Sequence, residues 1–292
     1  MKKISIYIIF VLISTMCFIC LGCESSNKDK NLYKTKIGNI IVWNIMDSKT
    51  EESTDIFKGD DKLVKETYPN GKYTSYVNFF VVKTPRSINL IDTGLGNIDM
   101  KTTLSSVGVT PDEIDSVYIT HIHPETVGGL IKEDKAVFPN SKIYVSFSED
   151  EYILGKKDDD PNKILYKKIE KIYGKKITNF RSDAEDSRNP ITSIASYGHT
   201  GGHTLYRIES KNEILYILGG IFTDLNLQTK NPKISSTTDD DQERATSARQ
   251  DILDLIESEE YPTKCTGTHF PFPGIAKIEK VKNGEYKYTL EQ

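Results

Sequence analysis

Cysteine is nearly missing from the part of this chain that could fold around it. Of four cysteines in 292 residues, Cys17, Cys20 and Cys23 fall in or just after the N-terminal apolar run, which leaves Cys265 alone beyond it. A single thiol cannot close a structural disulfide there, so a disulfide-stapled scaffold is excluded. Cys265 itself reads as a small buried apolar residue on a strand rather than as a metal ligand. An excess of either charge is also lacking. The 38 lysines and arginines against 42 acids leave a net charge of −4, which argues against nucleic acid as a partner and for a small-molecule substrate. With 37% hydrophobic residues the chain can bury a substantial core, as one large domain or two intimately packed halves.

A long apolar run occurs at the N-terminus, where Lys2 and Lys3 precede Ile4 to Leu21 and Gly22-Cys23-Glu24 opens a polar stretch. This resembles a bacterial lipoprotein signal, with residues 1–22 as signal peptide, Cys23 as the lipidated first residue of the mature chain, and residues 23–35 as a polar tether. Cys20 stands where such signals carry leucine. The run is also just long enough for an uncleaved membrane anchor. Either reading places the globular part, residues 36–292, at the cell membrane on its extracytoplasmic face, with the lipid anchor as the expectation.

Histidine is scarce as well, and its placement is informative. All five lie in three motifs: Thr120-His121-Ile122-His123-Pro124-Glu125-Thr126-Val127-Gly128-Gly129, Gly198-His199-Thr200-Gly201-Gly202-His203, and Thr268-His269-Phe270-Pro271-Phe272-Pro273. In extended backbone, residues two apart point the same way, so His121 and His123 can aim both rings at one ion. His199, from a glycine-bounded loop, would supply a third nitrogen. Three imidazoles and a water make a tetrahedral zinc site with an open position.

Secondary structure can be placed around these motifs. Ile37 to Ile45 and Tyr76 to Lys83 read as strands, and Ser87 to Asp92 as another that forms a hairpin and ends at Thr93-Gly94. Thr110-Pro111-Asp112-Glu113 is a capping box, so a short helix precedes the strand Ser116 to Thr120 that delivers His121. Lys142 to Ser146 reads as a strand. Glu149 to Lys176 reads as helix with a break near Asp158 to Pro161 and a solvated charged face. Leu205 to Glu209 and Ile214 to Leu218 pair around Lys211-Asn212. Asp239 or Asp240 caps a helix to about Glu257, with Ala245, Ala248, Ile252, Leu255 and Ile256 on one side, and a last strand carries Cys265 to the His269 loop.

Taken in order, Leu90-Ile91-Asp92-Thr93-Gly94, the His121 motif, Gly198-His199-Thr200, the strand ending Leu218-Gly219 and the His269 motif resemble the metallo-β-lactamase superfamily over most of the chain from Val77 onward. The Asp239 to Leu255 helix, followed by His269 to Gly274, is most similar to the subgroup that contains methyl parathion hydrolase and lactonase-like enzymes. The resemblance implies an α/β (α+β) fold, a four-layer αββα sandwich with a metal site at the sheet edge. It also implies a metal-dependent hydrolase in which zinc-bound hydroxide attacks an ester, lactone, amide or phosphoester. Asp92 is expected to brace the metal loops through hydrogen bonds, and His203 to be structural. Phe270 and Phe272 read equally as core packing and as pocket lining.

The departures from that family's pattern shape the expectation. In the usual His-x-His-x-Asp-His motif the aspartate and last histidine serve a second metal, but here Glu125 and Thr126 occupy those positions. An aspartate that normally bridges two metals is replaced by Gly220. Of the second site only Glu125 and His269 keep ligand atoms, so one zinc ion on His121, His123 and His199 is expected rather than two, with Glu125 as general base. Two other outcomes stay open: a two-metal site rescued by another acid, Asp224 being the nearest on the chain, and a catalytically inactive relative that acts as a binding protein.

Overall fold

Along the strand Lys72–Lys83, successive side chains go to different cores, as the period-two geometry of a strand requires. Phe80 and Val82 pack with Ile37, Val42, Ile91, Tyr206, Ile208, Leu215 and Ile217, which come from two different sheets. Phe79 and Val81 face the other way, against Met100, Leu104, Ile153, Tyr166 and Ile169 of helices. The opposite sheet repeats the pattern: Leu215 and Ile217 point to the inter-sheet core, while Ile214 and Tyr216 meet Ile252, Leu253 and Ile256. Two sheets therefore share one apolar layer and each is covered outside by helices, which is the αββα sandwich that the family resemblance implies.

The computed structural model describes residues 30–182, 190–281 and 284–292. The expected signal peptide and the lipidation site Cys23 lie outside the described residues. The first sheet holds seven strands in sequence order: Leu32–Ile37, Ile40–Ser53, Lys72–Lys83, Ile88–Ile91, Ser116–Tyr118, Lys142–Ser146 and Ile177–Phe180. The second holds six, also in sequence order: Ile191–Ala195, Thr204–Ser210, Glu213–Ile217, Thr263–Thr266, Ala276–Lys280 and Tyr286–Leu290. The helices are α1 (Asp61–Thr67), α2 (Met100–Ser106), α3 (Pro124–Val127), α4 (Phe147–Gly155), α5 (Pro161–Tyr173), α6 (Leu225–Lys230) and α7 (Gln242–Ser258).

Four local readings change. The expected strand Ile37 to Ile45 is broken at Gly38, whose φ of 54° turns the chain into a hairpin of Leu32–Ile37 on Ile40–Ile45. That hairpin begins inside the stretch read as a polar tether, because Thr35 and Ile37 are buried in it. Helix α7 is capped by Asp241, which accepts the Arg244 N–H at 3.0 Å, and not by Asp239 or Asp240. The charged stretch from Glu149 is not wholly a solvated face: Glu149 and Lys163 are buried. The Lys211-Asn212 turn forms as expected, with φ of 51° and 61° joining Thr204–Ser210 to Glu213–Ile217.

Candidate metal centre

The site grows from the C-terminal ends of parallel strands. Ile88–Ile91, Ser116–Tyr118 and Lys142–Ser146 run parallel in one sheet, and Glu213–Ile217 and Thr263–Thr266 run parallel in the other. Beyond those ends follow Asp92, His121, Glu149, Gly219-Gly220 and His269, so the topology gathers distant segments at one edge. The Thr204 N–H donates to Thr120 O at 2.9 Å, which links the sheets directly behind the histidines.

His121, His123, Glu125 and His199 each offer one ligand atom, and these atoms all lie within 4.8 Å of one another. The rings of His121 and His123 are 4.8 Å apart between centroids, and those of His121 and His199 are 4.6 Å apart. Their proton positions follow from their partners. Asp92 accepts the Thr120 N–H at 2.9 Å and the Thr120 hydroxyl proton at 2.8 Å. With Asp92 ionised, as a bound cation would favour, the Thr120 hydroxyl proton goes to Asp92 and Thr120 Oγ1 can only accept from His121 Nδ1, 2.9 Å away. His199 Nδ1 likewise donates to Asp239 Oδ1 at 2.9 Å. Both remaining nitrogens, Nε2 of His121 and of His199, are therefore bare lone pairs, and both are buried with no hydrogen-bond partner. Orphaned buried acceptors are uncommon and costly, and two that converge suit a cation.

Charge in the site is arranged to suit that. Burial holds the His121 imidazole well below its ordinary pKa, which keeps it neutral and able to ligate. Glu125 Oε1 lies 3.3 Å from His123 Nδ1 and 3.6 Å from His121 Nε2. Burial alone would raise the Glu125 pKa, but the His123 imidazole beside it outweighs burial and the pKa falls well below the carboxylate range. Asp92 is fully buried and burial pushes its carboxyl up to about 8, opposed by its two bonds from Thr120. Asp92 also has a φ of 58°, a left-handed conformation that aspartate tolerates better than most residues.

Other residues singled out in the sequence sit elsewhere. His203 Nδ1 is 2.6 Å from Ser196 Oγ, and its Nε2 accepts the Gly220 N–H at 3.0 Å, so both nitrogens are committed. His269 stands beside the four-residue group and is not part of it; its Nδ1 donates to Tyr76 O at 2.8 Å. Thr126 offers no ligand: its hydroxyl lies 2.6 Å from His121 O and 2.9 Å from His123 O, closing the turn between them. Gly220 faces the rings so closely that a Cβ there would lie 2.7 Å from His199 Nε2. Asp224, the possible compensating acid, is not among the grouped residues. Both of its oxygens accept from Tyr68 Oη at 2.8 Å and Oδ1 caps α6 through Leu227 N–H at 2.7 Å, so it is held away from the histidines. Phe270 is buried in the outer core of the second sheet, Phe272 is half-buried, and Cys265 is a buried free thiol whose pKa burial raises.

Three contributors escaped the sequence reading. Asp239 was seen only as a possible helix cap, yet it orients His199. Arg249 of α7 is fully buried and gives its guanidinium to the carbonyls of Ile221, Pro232 and Ile234 at 2.7 to 2.9 Å, with Nη2 3.7 Å from Asp239. Glu149 reaches into the histidine loops from α4. For Glu149 a signal existed: Ser146-Phe147-Ser148-Glu149 has the spacing of a capping box.

A family profile described as the metallo-beta-lactamase superfamily matches residues 73–260. No curated protein matches the chain. Among solved structures, AidC, described as a dizinc quorum-quenching lactonase and solved with a homoserine product, is similar with a TM-score of 0.79 and 21% identity over 90% of this chain and 98% of that one. AbOPH, a hydrolase in the beta-lactamase superfamily, gives 0.78 and 22% over 90% and 98%. A probable metal-dependent hydrolase from Staphylococcus aureus gives 0.72 and 22% over 88% and 99%. At these identities the likeness is one of fold.

Proposed function

The chain belongs to the metallo-β-lactamase superfamily of metal-dependent hydrolases, and on that premise we propose that it holds one zinc ion on His121, His123 and His199 and hydrolyses an ester, lactone, amide or phosphoester of a small molecule. The observation that carries this is the pair of buried, unpartnered Nε2 atoms of His121 and His199 beside His123 and Glu125. Imidazole and carboxylate donors suit zinc. When bound, the ion would supply Lewis acidity, polarising the scissile oxygen and lowering the pKa of water.

The chain's own groups do the rest. Asp239, and ionised Asp92 through Thr120, hold the protons at the Nδ1 atoms and so keep both Nε2 atoms free. Glu125 is ionised and accepts a proton or orients the attacking water at Oε1. A single ion is favoured because Gly220 has no side chain, Thr126 closes a turn, and Asp224 is bonded to Tyr68. A homoserine product bound to AidC tilts the substrate class toward lactones. The same replacements favour a second reading, a catalytically inactive binding protein of the same fold. We place either form outside the cytoplasm on a lipid anchor at Cys23, which fatty-acid labelling of Cys23→Ser against the unaltered chain tests.

Elemental analysis of purified protein, with a panel of lactone, ester, phosphoester and β-lactam substrates before and after chelation, tests the activity. One zinc per chain with chelator-sensitive turnover is the expected result. Two equivalents overturn the single-ion assignment, absence of metal overturns the site, and metal without turnover on any substrate supports the binding protein.

A further inference from the structure

The two loops that carry the ligating histidines are joined by a carboxylate that is not itself part of the ligand group. Glu149 is the third residue of α4, whose cap is Ser146. Ser146 Oγ accepts the Glu149 N–H at 3.1 Å, the first half of a capping box. In the second half the glutamate would fold back onto the amide of the cap. Here it turns away instead. Its Oε1 accepts the Ile122 N–H at 2.7 Å, from between His121 and His123. Its Oε2 accepts the Thr200 hydroxyl at 2.7 Å and the Gly202 N–H at 3.0 Å, from the loop of His199. Ser146 Oγ donates to Gly202 O at 2.9 Å, so the start of α4 grips that loop by a donor and an acceptor together.

The fit is close enough to dictate the neighbouring sequence. A Cβ on Gly202 would lie 2.0 Å from Glu149 N, and one on Gly201 would lie 2.2 Å from the Tyr152 ring. The glycine pair therefore lets the His199 loop press against α4. Glu149 is 1% exposed, and two of its three partners are backbone amides that can only donate. Only a group that accepts at both ends satisfies them.

We infer that Glu149 is a positioning residue that fixes the spacing between the His121-His123 pair and His199, and through it the metal affinity and coordination geometry of the site. The consequence for metal rests on the proposed hydrolase reading; the joining of the loops rests on geometry alone. The test uses Glu149→Gln in the full chain, because glutamine keeps the size but turns an amide NH2 toward a donor. In metal-free protein, hydrogen exchange at Ile122 and at Gly202 is expected to quicken together while the outer core of α7 is unchanged. Zinc affinity is expected to fall by about tenfold or more, and the visible bands of the cobalt-substituted protein to shift. Unchanged exchange in either loop overturns the joining, and faster exchange with unaltered zinc affinity and cobalt spectrum overturns the control of the site. Wild-type protein that takes up neither metal sinks the hydrolase reading and the metal half of this inference, and exchange alone then decides the joining. Should Glu149→Gln fail to fold, Thr200→Val removes one donor, and its zinc affinity must fall severalfold for the inference to stand.

Discussion

His199 and Asp239 are joined by a hydrogen bond of 2.9 Å between Nδ1 and Oδ1, and that bond decides which ring nitrogen is left to ligate. The carboxylate is buried, and its pKa falls below the ordinary value; burial opposes this, but His199 and Arg249 outweigh it. An ionised acceptor here makes the Nδ1–H tautomer of His199 the stable one.

Asp239→Asn should therefore weaken zinc binding by about 10- to 100-fold while leaving the fold in place. The amide can still accept from Nδ1, but without charge, and it leaves Arg249 with less compensation. Competition with a chromophoric chelator measures the affinity; a value within twofold of wild type contradicts the assigned role.

Asp92→Asn acts on His121 by a different route. Asparagine placed as Asp92 is would turn its NH2 toward the Thr120 hydroxyl, which must then donate to His121 Nδ1. His121 would carry its proton on Nε2, the atom needed for the ion. Loss of zinc is expected, together with a tautomer change relative to wild type above about pH 8, where Asp92 is ionised, visible in the nitrogen resonances of the imidazole. Retention of the Nδ1–H form would contradict the relay.

The pH dependence of stability follows from the same carboxyl. Asp92 has a folded pKa of about 8 against an ordinary 3.8, so the folded state binds this proton more tightly than the unfolded chain. Its contribution is fully present below the lower value and is lost as pH rises through the higher one. In metal-free protein the melting temperature of wild type should fall across that interval more steeply than that of Asp92→Asn. Parallel curves would refute this.

Arg249→Met tests the support behind His199. Three carbonyls lose their donor and Asp239 loses its nearest cation. Removing one member of a buried charged pair typically costs about 3–5 kcal/mol, and denaturant unfolding of metal-free protein should show a loss of that order. A change below about 1 kcal/mol, the size of a surface substitution, would mean the guanidinium is dispensable.

How much of this was legible depends on where the partners lie. His121 and His123 declare themselves because the two-residue spacing is local, and His199 because glycines bracket it. The sandwich was legible through the ordered motifs that resemble the superfamily, and strands such as Tyr76 to Lys83 through their β-branched and aromatic residues. Glu149 was not, since its partners are amides on two loops that only the fold brings together, and a charged helical stretch normally faces water. Asp239 stood in a run of three aspartates in which only the tertiary structure distinguishes the cap, Asp241, from the partner of His199. Asp224 illustrates the converse: chain proximity to Gly220 suggested a ligand, while its actual partner, Tyr68, is 156 residues away.

Gly220 offers the sharpest test of the packing around the proposed ion. A Cβ at this position would meet His199 at 2.7 Å and 2.8 Å and His121 at 3.0 Å. Neither ring can retreat freely, because Asp239 and Thr120 hold them from behind and the Gly220 N–H is itself tied to His203. Gly220→Ala should therefore displace the rings or strain the loop, lowering stability by about 1–3 kcal/mol as overpacking does. Zinc affinity should fall as well, since the same two Nε2 atoms must move. The comparison of denaturation in metal-free protein with chelator competition in the loaded protein separates the two effects. An alanine variant as stable as wild type, with equal zinc affinity, would show that the rings have room the structure denies them.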